Sequence, residues 1–386
     1  MDEEKRILMK IGTKTVHKGQ RPDKDTGAVI PSICQTTTFM QKSPGRPIGE
    51  FEYTRAGNPN FSRLEETLAS IENGRYATVL SSGLGALTAW LFSAGRCHIV
   101  ANEDLYGGTY RLLINVFAKY GVKSSFARSD DPGMWKKAVR PETKWLLIET
   151  PTNPLLKIVD LKQACSFARS KNIKVIVDNT FASPVFQNPL DLGADVVIHS
   201  STKYLGGHSD VIGGALITND KELKKRFDFY RKAAGLNPSP FDCWLISRGI
   251  KTLALRMAAH EKNAAAIAKY LRNRREIKEV YYPGLASHPQ QRLAHRQMKG
   301  FGGMVTVEFG NEKSAKRFIK RLKLFCLAES LGGVESLVCQ PSSMTHASIP
   351  SEERKKIGIK DNMVRLSVGI EDTDDLLEDI EAALKR

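Results

Sequence analysis

Between about residue 51 and residue 245, short apolar runs recur at regular intervals: CHIVA, KSSFA, KWLLIE, KVIVD, DVVIH and GALIT. Most are rich in β-branched residues, as strands buried on both faces of a sheet require. Helical segments separate them, so the pattern predicts a mostly parallel sheet with helices on both faces, an α/β architecture. From about residue 246 the period lengthens. GIKTLALRMAAHEKNAAAIAKYL predicts a long helix, which leads into a smaller α+β unit with MVTVEF and MVRLSV as strands and DDLLEDIEAAL as a final amphipathic helix. The first fifty residues, rich in Thr, Pro and Gly, predict an extended arm wrapped on a partner. The organisation expected is an arm over 1–50, a large α/β domain over 51–245 and a smaller C-terminal domain over 246–386. No internal repeat or low-complexity stretch interrupts it.

The strand VVIHS runs into STKYLGGHSDVIGG, which delivers Lys203 into a loop of hydroxyls and glycines. Hydroxyls and bare backbone N–H groups bind phosphate, and a phosphate beside a reactive amine suggests pyridoxal phosphate held covalently by the lysine. Upstream, KVIVD ends in Asp178, and ligands of open α/β sheets gather beyond the carboxyl ends of strands. A carboxylate there can pair with a protonated pyridine nitrogen. Taken singly, Lys203 reads as a solvated lysine beside a turn, and Asp178 as a cap. Together they supply the two ends of one pocket.

The chain resembles the Cys/Met-metabolism pyridoxal enzymes, the family of cystathionine γ-synthase, β-lyase and γ-lyase. The matching segments run in order along nearly the whole sequence: YTRAGNPN, SSGLGAL, EDLYGGTYR, ETPTNPLLKIVD, VDNTFASP, HSSTKYLGGHSDVIGG, SLGGVESL, MTHASIP and RLSVGIED. The resemblance implies the fold-type I pyridoxal architecture, with Lys203 as the catalytic lysine. It implies that the N–H groups of Gly83 and Leu84, with Ser200 and Thr202, hold the cofactor phosphate; the helix start after SSG suits an anion on its own account. Tyr106 resembles the tyrosine that stacks on the ring and assists proton movement, and Asn153 the residue bonding the ring oxygen. Arg365 resembles the arginine that binds the substrate α-carboxylate, with Ser336 and Glu335 beside it and Arg111 a second candidate, since guanidinium matches carboxylate with two parallel hydrogen bonds. Tyr53 and Arg55 resemble the segment that crosses to a partner's cofactor phosphate, which implies a homo-oligomer, commonly a dimer of dimers.

Composition narrows the setting. With 386 residues, 41% hydrophobic and 26% charged, the chain has enough core for two ordinary globular domains. Its six cysteines lack CxxC spacing and read as buried free thiols rather than disulfides or metal ligands, so no metal is expected. The N-terminus lacks an apolar signal core and no stretch suits a membrane span, so a cytoplasmic enzyme is expected. The formal charge of +16 is concentrated in segments such as KSAKRFIKRLKLF and KYLRNRREIK. There basic and apolar residues alternate at helical spacing, the pattern of packed helices with solvated faces, so nucleic acid is not the expected partner. A small amino acid is.

Within the family, Glu335 and Glu52 lie where γ-lyases and γ-synthases carry acids for the distal amine of cystathionine. Gly108 stands where methionine γ-lyases usually have cysteine. The resemblance leans to cystathionine γ-lyase, then γ-synthase, then β-lyase. An aminotransferase would share the lysine–aspartate pair but not the segments specific to this family, and a cofactor-free binding protein would require a spoiled site.

Overall fold

A computed structural model describes residues 9–129 and 131–385. Seven strands form the large sheet, in the spatial order Tyr76–Leu80, Gly214–Thr218, Val196–Ser200, Lys174–Asp178, Thr143–Glu149, His98–Asn102 and Lys123–Ala127. All run parallel except Gly214–Thr218, which is antiparallel to both neighbours. The exception has a simple cause. A parallel return needs a long crossover, usually a helix, and residues 201–213 fold only as turns.

Alternate residues of each strand enter opposite cores, as strands covered on both faces must. Val197 and Ile217 pack with Phe61, Leu64 and Ile246 on one face. Ile198 and Leu216 pack with Trp90, Leu147 and Phe227 on the other. The covering helices start at polar caps. Asn58, Ser82, Asp160 and Asp220 each accept a backbone N–H in the first turn of the helix that follows.

The helix Leu253–Arg272 leads to the second sheet, ordered Ile277–Tyr281, Met304–Phe309, Met363–Ser367, Leu337–Cys339 and Cys326–Leu327. Its core joins Val305, Val307, Val364 and Leu366 to Phe318 and Ile319 of Glu312–Arg321 and to Leu376 and Ile380 of Thr373–Leu384. The basic stretch after residue 312 is thus an amphipathic helix, its apolar face buried.

Three expectations differ in detail. The long helix begins at Leu253 rather than Gly249, because Gly249 and Ile250 complete the preceding helix Pro240–Ile250. The stretch KYLRNRREIK is not one helix: it stops at Arg272, turns, and enters the strand at Ile277, whose side chain packs on the second core. The arm is not uniformly extended, since it holds the helix Ile11–His17 and a small hairpin, Gln41–Ser43 with Arg46–Pro47. Among the described residues no helix is long and apolar enough to cross a membrane.

Pro240–Ile250 braces the lysine-bearing turn: a Cβ on Gly249 would lie 2.1 Å from the carbonyl oxygen of Gly206. Gly249→Ala is therefore expected to destabilise by about 1–3 kcal/mol, as overpacking against backbone does. Gly12→Ala, in open space on Ile11–His17, should be neutral or stabilise by up to ~1 kcal/mol. Urea unfolding of the two variants checks the contrast.

Candidate functional site

The carboxyl ends of the central parallel strands open into a cavity of about 320 Å³. Ser82, Gly83, Leu84, Tyr106, Asn153, Asp178, Ser200, Thr202, Lys203 and Arg365 line it. Strand register places its floor. Glu149 pairs with Asp178, and Asp178 with Ile198, across adjacent strands. Ser200 then ends its own strand, and the turn brings Lys203 back over the edge, where its N–H bonds the carbonyl of Ser200.

Lys203 Nζ donates to Ser330 Oγ at 2.8 Å. Burial and the neighbouring Arg365 guanidinium hold its pKa down to about 8, with Glu329 opposing them. Arg365 is itself buried. Its Nη1 donates to Asn153 Oδ1 at 2.9 Å and its Nη2 to the Ser330 carbonyl at 2.8 Å, while Nε has no hydrogen-bond partner. Buried His346 braces the same corner, with its Nε2 3.0 Å from the Asn153 carbonyl oxygen. Burial, and next Arg365, lower the pKa of His346 to about 3, so the ring is neutral and donates there.

Below them sit two carboxyl groups in register. Burial pushes Glu149 well above the usual range, and Asp178 beside it pushes further. Burial raises Asp178 as well, but hydrogen bonds from Thr180 and the charge of His199 pull back. Two adjacent buried carboxylates cannot both ionise cheaply, so Glu149 keeps the proton and Asp178 is the anion. Glu149 also accepts the backbone N–H of Tyr106 at 3.0 Å, which ties the tyrosine loop to the floor.

The arrangement fits a pyridoxal phosphate. Ser82 Oγ caps Gly85 N, which leaves the N–H groups of Gly83 and Leu84 at a helix start for an anion. The approach is close: a Cβ on Gly83 would come within 2.9 Å of Ser200 Cβ. Arg365, Asp178 and Lys203 line one volume, with Tyr106 at its mouth. Among the described residues, no group of three or more His, Cys, Asp or Glu is placed to hold a metal ion.

The other residues singled out from the sequence lie off this cavity. Ser336 is buried, its hydroxyl and N–H both bound to the Glu371 carboxylate. Glu335 accepts from the Ser209 hydroxyl beyond the lysine turn. Arg111 and Glu52 are exposed. Tyr53 and Arg55 stack on each other at 5.3 Å, and Arg55 Nη1 reaches the Lys232 carbonyl at 2.8 Å. The cavity adds residues the sequence reading did not name: Ser82, Glu149, Thr180, Glu329 and Ser330. For Glu149 the available signal was its place at the end of KWLLIE, beside the end of KVIVD.

The depressed lysine pKa has a thermodynamic counterpart in the cofactor-free chain. Between about pH 8 and its ordinary value of 10.5 the unfolded chain binds more protons at this group, so stability rises with pH through that window. Below pH 8 the cost of burying the cation is fully present. Lys203→Met should therefore stabilise the cofactor-free protein at pH 7 by roughly 1–3 kcal/mol, with the gain fading above pH 10. Denaturant titrations at pH 7 and pH 10.5 measure it.

A family model described as Cys/Met metabolism PLP-dependent enzyme matches residues 12–385. The chain is 50% identical to a cystathionine γ-lyase of Dictyostelium discoideum over 380 residues, 98% of each protein. It is 49% identical to a cystathionine β-lyase of Lactococcus lactis, over 98% of this chain and 100% of that one. Among solved structures, a cystathionine γ-synthase of Xanthomonas oryzae in complex with cystathionine superposes with a TM-score of 0.95 at 42% identity, over 97% of this chain and 98% of that one. This chain belongs to the Cys/Met metabolism family of pyridoxal-phosphate-dependent lyases, and pyridoxal phosphate is its cofactor.

Proposed function

We propose that the protein cleaves L-cystathionine by α,γ-elimination, giving cysteine, 2-oxobutyrate and ammonia. The observation that carries the reading is the Lys203 amine, buried beside Arg365 with its pKa near 8. A base poised near neutrality can take a proton and return it. The γ-route needs that service twice, first at Cα and then at Cβ, from a group whose reach covers both.

Bound pyridoxal phosphate supplies an electron sink conjugated with the substrate α-carbon. Lys203 would anchor the cofactor, and its free amine would take the substrate α-proton. Asp178, anionic beside neutral Glu149, holds a proton at the ring nitrogen. Gly83, Leu84, Ser200 and Thr202 would hold the phosphate, with Asn153 and Tyr106 lining the space beside the ring. Arg365 takes the substrate α-carboxylate through its guanidinium. Tyr53 and Arg55, turned away from their own chain's cavity, serve the phosphate of a second copy in a cytoplasmic homo-oligomer, a dimer of dimers. Glu335 and Glu52 receive the distal amine of cystathionine, with Arg111 in support of the substrate end; Ser336, bound to Glu371, takes no part.

The likeness to a γ-synthase bound to cystathionine favours a second reading, synthesis of cystathionine from cysteine and an O-acylhomoserine. β-Cleavage to homocysteine and pyruvate, the activity in the name of the Lactococcus relative, is the third.

Incubating the cofactor-loaded protein with L-cystathionine and identifying the products by mass separates these. Cysteine with 2-oxobutyrate is expected. Homocysteine with pyruvate would establish β-cleavage, and little of either would leave synthesis. Lys203→Ala should abolish the visible absorbance of covalently bound cofactor and lower turnover by at least about 10³-fold, the order expected for losing a general base. Arg365→Lys should raise KM by roughly tenfold or more, because a point charge cannot reproduce the bidentate fork.

A further inference from the structure

A second cavity, also of about 320 Å³, lies away from the catalytic one, between the N-terminal arm and two helices. Gln20, Ile30 and Pro31 of the arm wall one side. Arg63, from Pro59–Ile71, with Arg248 and Lys251, from the end of Pro240–Ile250, wall the other. The frame between them is tightly bonded. Trp244 Nε1 donates to the Pro31 carbonyl at 3.1 Å. Asn60 accepts the Cys34 N–H at 2.8 Å and donates to the Ser32 carbonyl at 3.1 Å.

The cations are the exception in this bonded frame. Arg63, Arg248 and Lys251 are side-chain partners in no hydrogen bond or ion pair among the described residues, and no Asp or Glu lines the cavity. Arg63 and Lys251 are part-buried and Arg248 is exposed at the cavity's edge. Three like charges around one partly enclosed volume repel one another and concentrate a positive potential there. Two guanidinium forks and an ammonium match the oxygens of a phosphate, and the volume suits a small metabolite.

We propose that this cavity is a binding site for a small phosphate-bearing anion, separate from the cofactor site. It has a mechanical link to catalysis. Arg248 and Lys251 flank Gly249, the residue packed against the Gly206 carbonyl in the lysine-bearing turn. An anion bridging them to Arg63 fixes Pro240–Ile250 against that turn.

The test uses the cofactor-loaded protein, in which the catalytic phosphate position is already filled, titrated calorimetrically with inorganic pyrophosphate at constant ionic strength. Saturable binding of one anion per chain is expected, weakened about tenfold or more by Arg63→Gln and by Lys251→Gln, with the visible absorbance of the cofactor unchanged. Absence of saturable binding to the unaltered protein overturns the proposal, as does binding that neither substitution weakens. Sedimentation of the same variants covers the rival occupant. If the unaltered assembly binds no pyrophosphate and Arg63→Gln dissociates it, carboxylates of a second copy fill the cavity and the free-anion site is refuted.

Discussion

Everything at the catalytic cavity hangs on the register of three neighbouring strands. Pairing of Glu149 with Asp178, and of Asp178 with Ile198, sets two carboxyl groups side by side and fixes where the next strand stops. Because side chains alternate across a strand, a slip of one residue would turn Asp178 away from the cavity and bury a valine or an asparagine in its place. The apolar cores on both faces forbid that slip. Val175 and Val177 belong to one core and Ile176 to the other. Packing far from the chemistry thus decides which carboxyl group faces the ligand.

Register also produces the electrostatics. Two acids forced together in a dry place leave the proton on Glu149, and burial together with the Arg365 guanidinium depresses Lys203 from above. The charges are held by geometry rather than by direct ion pairs, since Arg365 bonds an amide and a carbonyl, and Lys203 a hydroxyl. Neutral partners leave both cations available to an incoming anion. A carboxylate partner would have satisfied them in advance.

Much of this was legible in the sequence because it is local. Lys203 and Asp178 terminate apolar runs, and a residue at a strand's carboxyl end is visible from the run itself. Gly83 and Leu84 likewise follow a strand and open a helix. What could not be read depends on pairing across distance. Ser330 reaches Lys203 across 127 positions, and no pattern near either residue announces the contact. Ser336 lies in a segment carrying the family resemblance, yet its polar atoms are occupied by Glu371, a partnership only the folded C-terminal sheet creates. Glu149 was hidden for another reason: a glutamate after an apolar strand looks like an ordinary boundary until burial shows that it must be neutral. The reversed strand Gly214–Thr218 looked like its parallel neighbours because apolar runs carry no direction.

The closeness of backbone to backbone around the lysine has an evolutionary implication. Where Gly249 meets the Gly206 carbonyl and Gly83 meets Ser200, there is no room for a side chain to grow, so mutation has almost nothing there to select among. The exposed cavity-lining positions Tyr106 and Ile212 have that room. New substrate preferences can therefore be explored at the mouth of the cavity while its base stays frozen.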